Sequence, residues 1–400
     1  MSRSLTHRLA LLTAAALLPA PLAFAAGTAD DAPEPNPETL APLHRSPDAI
    51  PGRYLVTLDT GFDPTAIAEG LGVDPDFVYR SAMLGFAASL TEEQVAAVRR
   101  LPGVAAVEQD AVVRADTQPA AAAAAAPPAV WGLDRIDQRD LPLDSDFTTR
   151  NDGSGVTVFI LDTGIDYRHQ EFGGRAVPGF DAVGDGRDGA DCAGHGTHVA
   201  GTVAGSTFGV APAAKLVSVR VLDCEGKGSM GGIVAGLDWT ARNAEGPAVL
   251  NGSLGGSYSL ATNMATENLA ASGVLPVVAA GNSDQDACRV SPASAPSAVT
   301  VGATRRDDAE AGFSNHGRCL DLYAPGQGIV SARLGGGSEA LNGTSMASPH
   351  VAGVAALAKD EHGDVPSAVL ARWLTDTSST GKVGSLDAGS PNRLLYTGGL

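Results

Sequence analysis

Two histidines, His195 and His198, stand three residues apart in "DCAGHGTHVAG" (191–201), among glycines and other small residues. The spacing alone leaves three readings open: a metal clip, a catalytic base beside a bystander, or a pair of core histidines. Zinc-binding helices place their histidines at i and i+4 with a glutamate between them; here Gly196 and Thr197 intervene. Asp162 closes the apolar run "VTVFILD" and opens "DTGID", with Asp166 as a competing carboxylate. Ser345 lies in "NGTSMASPH" at the mouth of a helical pattern, where N–H groups and the helix dipole favour a developing anion. Gly343 allows close backbone approach before it, and Pro349 suits an early helical turn. Asn282 ends the apolar run "VVAAGN" and offers an amide donor. Taken singly, each has a plainer role, Asp162 and Asn282 as turn residues and Ser345 as a helix cap. Taken together they form a nucleophile, its base, the orienter of that base and an oxyanion donor, with the Ser345 backbone N–H as a second donor. One such donor is typically worth about 2.7–4 kcal/mol of transition-state stabilisation.

These four residues need a scaffold that gathers strand ends and helix starts. From Trp131 onward, apolar strands alternate with helices. "GVTVFILD" (155–162), "KLVSVRVLD" (215–223), "PAVLNGSLGG" (247–256), "VLPVVAAGN" (274–282) and "AVTVGAT" (298–304) read as buried strands. "GTHVAGTVAGS" and the segments near 229–244, 262–272 and 344–360 read as helices. Such alternation predicts an α/β fold with a parallel sheet covered on both faces, its working residues at the carboxyl ends of the strands. A smaller α+β unit precedes it. "RYLVTL" (53–58) alternates like a strand, "PTAIAEGLG" is a short helix, and 77–90 is extended with a break. A helix over 91–103 opens with Thr91 and Gln94 in capping-box spacing, and 104–113 returns as a strand.

The flanking segments set the compartment. Residues 1–25 carry a basic start, an apolar stretch and a small-residue ending, an export signal expected to be cut after Ala25. Residues 26–51 read as a Pro-, Ala- and Asp-rich linker, 52–115 as the small domain, 116–130 as an Ala/Pro-rich tether and mature N-terminus, and 131–400 as the large domain. No later run is apolar enough for a membrane anchor, so a secreted protein, periplasmic at most in transit, is expected. The net charge of −18 argues against nucleic acid and anionic membranes as partners and suits a surface that binds cations. Four cysteines, Cys192, Cys224, Cys288 and Cys319, in an exported chain favour disulfides, with three pairings open; no C-x-x-C pair supports a zinc site.

The blocks "ILDTGID", "GHGTHVAGT", "SLGG", "AAGN" and "GTSMASPHVAG" resemble the signatures of the subtilisin-like serine proteases over roughly 130–397. "WGLDRIDQRDLPL" and the four cysteines most resemble the proteinase K and aqualysin branch, and "GFAASLT" with "VAAVEQDAVV" resembles that family's inhibitory propeptide. The resemblance implies a three-layer α/β/α peptidase behind a ferredoxin-like propeptide. It makes Asp162 the orienter, His195 the base, Ser345 the nucleophile and Asn282 the oxyanion donor, and leaves His198 a supporting role. Substrate peptides would add between Gly228, Ser229 and Met230 on one side and Ser253, Leu254, Gly255 and Gly256 on the other. Ala279, Ala280 and Gly281 would wall the primary pocket, which favours apolar or aromatic residues because these flanking segments hold no acidic group.

By the same resemblance the disulfides are Cys192–Cys224 and Cys288–Cys319. Structural calcium, in one or two sites, is expected at the carbonyls of Pro296 and Ala298 with Asp321, and at Asp134, Asp137, Gln138, Asp144 and Asp146; Asp181, Asp185 and Asp188 depart from the branch in spacing. No catalytic metal is implied. Gly252 stands where the family usually has a bulky methionine. The propeptide would aid folding, fill the cleft with its tail and be cut near 114–118 in a monomeric zymogen. Two rival readings are a dead protease kept as a scaffold, which needs a broken triad, and a metal hydrolase using both histidines.

Overall fold

The computed structural model describes residues 40–115, 118–119 and 130–400. The export signal, most of the expected linker and most of the tether lie outside these residues.

The small unit is built from β1 (Leu43–His44), β2 (Ala49–Leu58), α1 (Pro64–Gly70), β3 (Phe77–Tyr79), β4 (Gly85–Ser89), α2 (Glu92–Val98) and β5 (Val104–Arg114). Its sheet runs β1-β5-β2-β4-β3, with α1 and α2 packed through Ala68, Val95 and Val98 onto Val56, Phe86 and Val107. Thr91 and Gln94 form the expected capping box, a device worth about 1 kcal/mol. The helix they start ends at Val98, earlier than 103. The linker expected over 26–51 is corrected at its end. Ala41 is buried, Leu43–His44 pair with Val107–Glu108, and β2 begins at Ala49, so the described residues from 40 onward belong to the folded unit.

After β6 (Gln118–Pro119), the large unit runs α3 (Trp131–Ile136), β7 (Thr157–Asp162), β8 (Ala176–Asp181), α4 (His195–Ala204), β9 (Lys215–Arg220), β10 (Lys227–Ser229) and α5 (Met230–Asn243). It continues through β11 (Ala248–Gly252), β12 (Gly256–Ser257), α6 (Leu260–Ala271), β13 (Leu275–Ala279), β14 (Val290–Ser291) and β15 (Val299–Thr304). It ends with β16 (Leu322–Pro325), β17 (Ile329–Ala332), β18 (Ser338–Asn342), α7 (Thr344–His362), α8 (Ser367–Thr377), β19 (Ser379–Thr380) and β20 (Arg393–Leu394).

The main sheet has the order β19-β20-β16-β15-β13-β11-β7-β9-β8. It is parallel from β20 to β8; the edge strand β19 is antiparallel, which makes the sheet mixed. The period-2 alternation of strands sorts its two faces. Val158 and Ile160 pack with α4, α7 and α8, while Phe159 and Leu161 pack with α5 and α6. The sheet is therefore buried on both sides, and the strands read as continuous apolar runs. Both disulfides form as expected, Cys192–Cys224 across 32 residues and Cys288–Cys319 across 31. Loops of this size are worth roughly 3–4 kcal/mol each.

Candidate active site

Asp162 is the last residue of β7 and His195 the first of α4. His195 Nδ1 lies 2.6 Å from Asp162 Oδ1, and both residues are buried. The Thr163 N–H donates to the same oxygen at 2.7 Å. The carboxylate thus assigns the imidazole proton to Nδ1 and leaves Nε2 as the basic nitrogen. Gly196 permits the approach: a Cβ there would lie 2.1 Å from the Gly164 carbonyl oxygen and 3.2 Å from the Asp162 side chain.

Asp191 holds the loop that delivers His195, a role the sequence reading missed. Its Oδ1 accepts from Thr163 Oγ1 and from the N–H groups of Ala193 and Gly194, each at 2.9 Å. Its Oδ2 accepts from the Thr197 N–H at 3.0 Å and Thr197 Oγ1 at 2.6 Å. A buried carboxylate satisfied by five donors fixes the start of α4. His198 is built differently from His195. Its Nε2 faces the carbonyls of Ile329 and Glu339 at 3.1 and 3.3 Å, so it donates and cannot ligate through that atom. Burial pulls it down to about 3, keeping it neutral.

Ser345 sits in the first turn of α7, its Oγ 3.2 Å from the Ser253 carbonyl. Its own carbonyl accepts from Ser253 Oγ at 2.9 Å. The chain behind it is cross-linked: Asn251 Nδ2 donates to Ser253 Oγ at 2.9 Å, and Ser348 Oγ to Asn251 Oδ1 at 2.8 Å. Pro349 is corrected from an early-turn residue to the sixth position of the helix. Asn282 Oδ1 accepts from the Thr344 N–H at 2.7 Å and Thr344 Oγ1 at 2.9 Å. Asn282 lines the cleft with Ser345, and with its oxygen committed to Thr344 the amide nitrogen is the end that can donate.

That cleft, a cavity of about 550 Å³, is lined by Ala279, Gly281, Leu254 and Gly255 as expected. Ala280 is corrected: it points into the core with Ala287, Leu320 and Tyr323, because neighbouring residues of an extended segment face opposite ways. At Gly281, φ is +103° and a Cβ would lie 2.3 Å from Asn315 Nδ2, so only glycine fits beside the pocket. Gly252 is less constrained than its position implied. A Cβ there would make ordinary contacts with Val278, Leu161 and Leu250.

The tail of the small unit lies in the cleft. β10 pairs antiparallel with β5, Gly228 opposite Val113 and Ser229 opposite Val112. On the other side the Arg114 N–H donates to the Gly255 carbonyl at 3.2 Å, and the Gly255 N–H returns to Arg114 at 3.4 Å. The two segments singled out for peptide pairing therefore hold a peptide, the chain's own. Met230 lies beneath them, its side chain close under Gly256. Three carboxylates clamp the two units. Asp110 accepts from the Gly231 N–H at 3.0 Å, Glu108 from the Ala261 N–H at 3.2 Å, and Asp238 from the N–H groups of Arg80, Ser81 and Ala82 at 2.9, 2.6 and 2.9 Å.

The acidic groups differ in what they need. Asp181 and Asp185 already share a cation: Arg220 donates to them at 3.1 and 2.6 Å and makes a second bond to Asp185 at 2.9 Å. Asp321 has no such partner among its hydrogen bonds; it accepts from the Thr300 N–H at 2.8 Å, and burial pushes it up to about 6. Asp134 and Asp137 are raised, by burial first and then by the neighbouring carboxylates. Asp134 Oδ1 is buried without a hydrogen-bond partner. Gln138 accepts from the Asp144 N–H at 3.2 Å, and Asp144 from the Asp146 N–H at 3.1 Å.

The sequence pattern of the Subtilase family matches residues 153–394, more than half of the chain. The chain belongs to the subtilase family. A second pattern, the peptidase inhibitor I9 family, matches residues 75–116 of this subtilase. It is 45% identical over 362 residues to the alkaline serine exoprotease A of Vibrio alginolyticus, covering 90% of this chain and 64% of that one. It is 44% identical over 379 residues to the extracellular serine proteinase of Thermus sp. strain Rt41A, covering 88% of this chain and 91% of that one. The crystal structure of a cold-adapted subtilisin-like serine proteinase matches with TM-score 0.66 and 50% identity, over 68% of this chain and 99% of that one. These likenesses place the subtilase among the serine proteases and its small unit with the inhibitory propeptides.

Proposed function

We propose that this subtilase is a secreted serine endopeptidase made as an autoprocessed zymogen, in which Asp162, His195 and Ser345 form the triad and Asn282 is the oxyanion donor. The observation that carries the reading is the 2.6 Å Asp162–His195 contact beside a cleft that holds the chain's own tail in antiparallel pairing. His195 Nε2 takes the Ser345 proton as Oγ attacks the peptide carbonyl, and later passes it to the leaving nitrogen. Asp162 steadies the imidazolium, and the Asn282 amide with the Ser345 N–H stabilises the oxyanion. The small α+β unit is the inhibitory domain, of the ferredoxin-like type, and the segment before residue 26 an export signal. The extracellular character named for the Thermus relative supports secretion. The "WGLDRIDQRDLPL" block and the disulfide pairs support the proteinase K and aqualysin branch. The open pocket beside Gly281 supports cleavage after apolar or aromatic residues.

Structural calcium fits the donor sets. The buried Asp321, with the carbonyls of Pro296 and Ala298, and the unpartnered Asp134 Oδ1, with Asp137, Gln138, Asp144 and Asp146, would offer the hard oxygen donors that calcium takes. Bound there, calcium would supply charge neutralisation and tie the loops, remote from the chemistry.

The test is the Ser345→Ala precursor, expected to accumulate uncut and inactive. Maturation of that variant alone in a purified preparation would assign the chemistry to another group.

A further inference from the structure

Asp284, His316 and Asp387 come from three separate segments, and their ligand-bearing atoms lie within 4.8 Å of one another. None of them belongs to the triad or is its oxyanion donor. His316 Nε2 stands 3.9 Å from Asp284 Oδ1 and 4.0 Å from Asp387 Oδ2. These separations are too long for hydrogen bonds, and exposed ion pairs at such distances contribute little. None of the three side chains makes a hydrogen bond among the described residues. The carboxylates are 65% and 55% exposed and could close on the imidazole, yet both stop short of it. The gap is that of one metal ion: a metal–nitrogen and a metal–oxygen bond, each about 2.0–2.2 Å, together span about 4 Å. Tetrahedral angles need each pair at about 3.4 Å, a closure of about half an ångström that exposed side chains can make.

The backbones beneath these side chains are held in place. The His316 N–H donates to the Gln285 carbonyl and its carbonyl accepts from the Ala287 N–H, both at 3.0 Å. The Asp284 N–H donates to the Phe313 carbonyl at 3.2 Å. Next to His316, Asn315 Oδ1 accepts from the Ser283 and Gln285 N–H groups, each at 3.1 Å. The Asp387 N–H donates to Glu310 Oε2 at 2.9 Å, and the Gly317 N–H to Ser390 Oγ at 2.8 Å. Rigid supports of this kind keep three ligands converging without first ordering a loop. A second group of His, Cys or carboxylate ligands, Asp185 with Cys192 and Cys224, has no such capacity. Its sulfurs are joined in a disulfide and its carboxylate already holds Arg220.

The geometry points to a zinc-class divalent ion held by His316 Nε2 and by one oxygen each of Asp284 and Asp387, with water as the fourth ligand. An imidazole with two carboxylates and an open position suits zinc, whereas calcium takes oxygen ligands alone. The ion neutralises the two carboxylates. It also staples the loop that follows Asn282 to the C-terminal segment around Asp387. Its role is structural, and it is separate from the calcium sites proposed above.

The experiment uses mature enzyme blocked with a serine-directed phosphonylating reagent and dialysed against zinc in excess calcium, with bound metal measured. One zinc ion per molecule is expected at this site, bound at least roughly tenfold more weakly in His316→Ala and in Asp387→Asn. Zinc binding equal to wild type in either variant overturns the ligand set, and so does displacement of the zinc by calcium. Zinc at a hundredfold excess over its dissociation constant is expected to raise the unfolding midpoint of the blocked enzyme by about 5 °C. The variants, shown to be folded by their own midpoints without zinc, are expected not to respond. A wild-type midpoint that does not move, or that moves equally in the variants, overturns the staple.

Discussion

Ser253 Oγ donates a 2.9 Å hydrogen bond to the carbonyl of Ser345. In an unbroken α-helix that carbonyl would accept from the residue four positions on. That residue is Pro349, which has no N–H to give. The proline thus opens an acceptor at the backbone of Ser345, and the Ser253 hydroxyl fills it. Ser253→Ala is expected to lower kcat about fivefold, on the order of 1 kcal/mol, with KM nearly unchanged. Ser253→Thr keeps the hydroxyl and is expected to recover most of the loss. Equal losses in both variants would show that the hydroxyl is not what matters.

Asp191 should behave as a structural keystone of the His195 loop. Its five bonds reach four residues on both sides of the histidine. Asp191→Ala is expected to cost at least 1–3 kcal/mol, roughly the range for a lost cap or an unsatisfied buried partner, and to reduce activity strongly. Asp191→Asn keeps the Oδ1 acceptor and is expected to be milder on both counts. Urea unfolding of the inhibitor-blocked enzyme, beside kcat, reads the two effects separately.

The grip of the propeptide should depend on Asp238. It accepts three consecutive backbone N–H groups of the small unit while lying almost wholly buried. Hydrogen bonds to a charged group are worth about 1.5–3 kcal/mol. Asp238→Ala in the precursor is expected to shorten the lag between tail cleavage and the appearance of activity by tenfold or more. A lag equal to wild type would mean that the cleft pairings alone hold the inhibitor.

Acid should unfold the mature enzyme partly through its buried histidines. Burial holds His198 at about 3 and His350 at about 4, below the unfolded value near 6.5. The unfolded chain therefore binds more protons than the folded one between those limits, so stability falls as pH drops from 6.5 toward 4. From pH 7 to pH 4 each group accounts for about 3 kcal/mol. In phosphonylated enzyme, His350→Leu is expected to remove about that much of the pH 7-to-4 difference in unfolding free energy, whatever its effect at pH 7. An unchanged difference would place the acid sensitivity elsewhere.

How much of this was legible in sequence depended on whether the signal was local. The strands β7, β11, β13 and β15 are buried on both faces, and their apolar runs stand out. β8 does not: it is an edge strand carrying Pro178 and Gly179, half exposed, with no run to read. The β17–β18 hairpin is likewise obscured by Gly335, Gly336 and Gly337 at its turn. Asp162, His195, Asn282 and Ser345 stood out as candidates because each sits in a short block of distinctive small residues. Asp191 lay in the same block and drew no reading of its own, since its role appears only once Thr163 and Thr197 are brought to it. The Asn251–Ser253–Ser345–Ser348 chain joins residues 92 and 97 positions apart and has no local signature. Arg220 reads as one more strand residue in "KLVSVR", yet it neutralises the acidic cluster at Asp181 and Asp185.

The central claim is that Ser345, activated by His195, is the nucleophile. A serine-directed phosphonylating reagent added to the mature enzyme, followed by mass mapping of the modified peptide, addresses it directly. One adduct per molecule is expected, on Ser345, formed in step with complete loss of activity and nearly abolished in His195→Ala. Full inactivation with the adduct on another residue, or undiminished activity with Ser345 fully labelled, would contradict it.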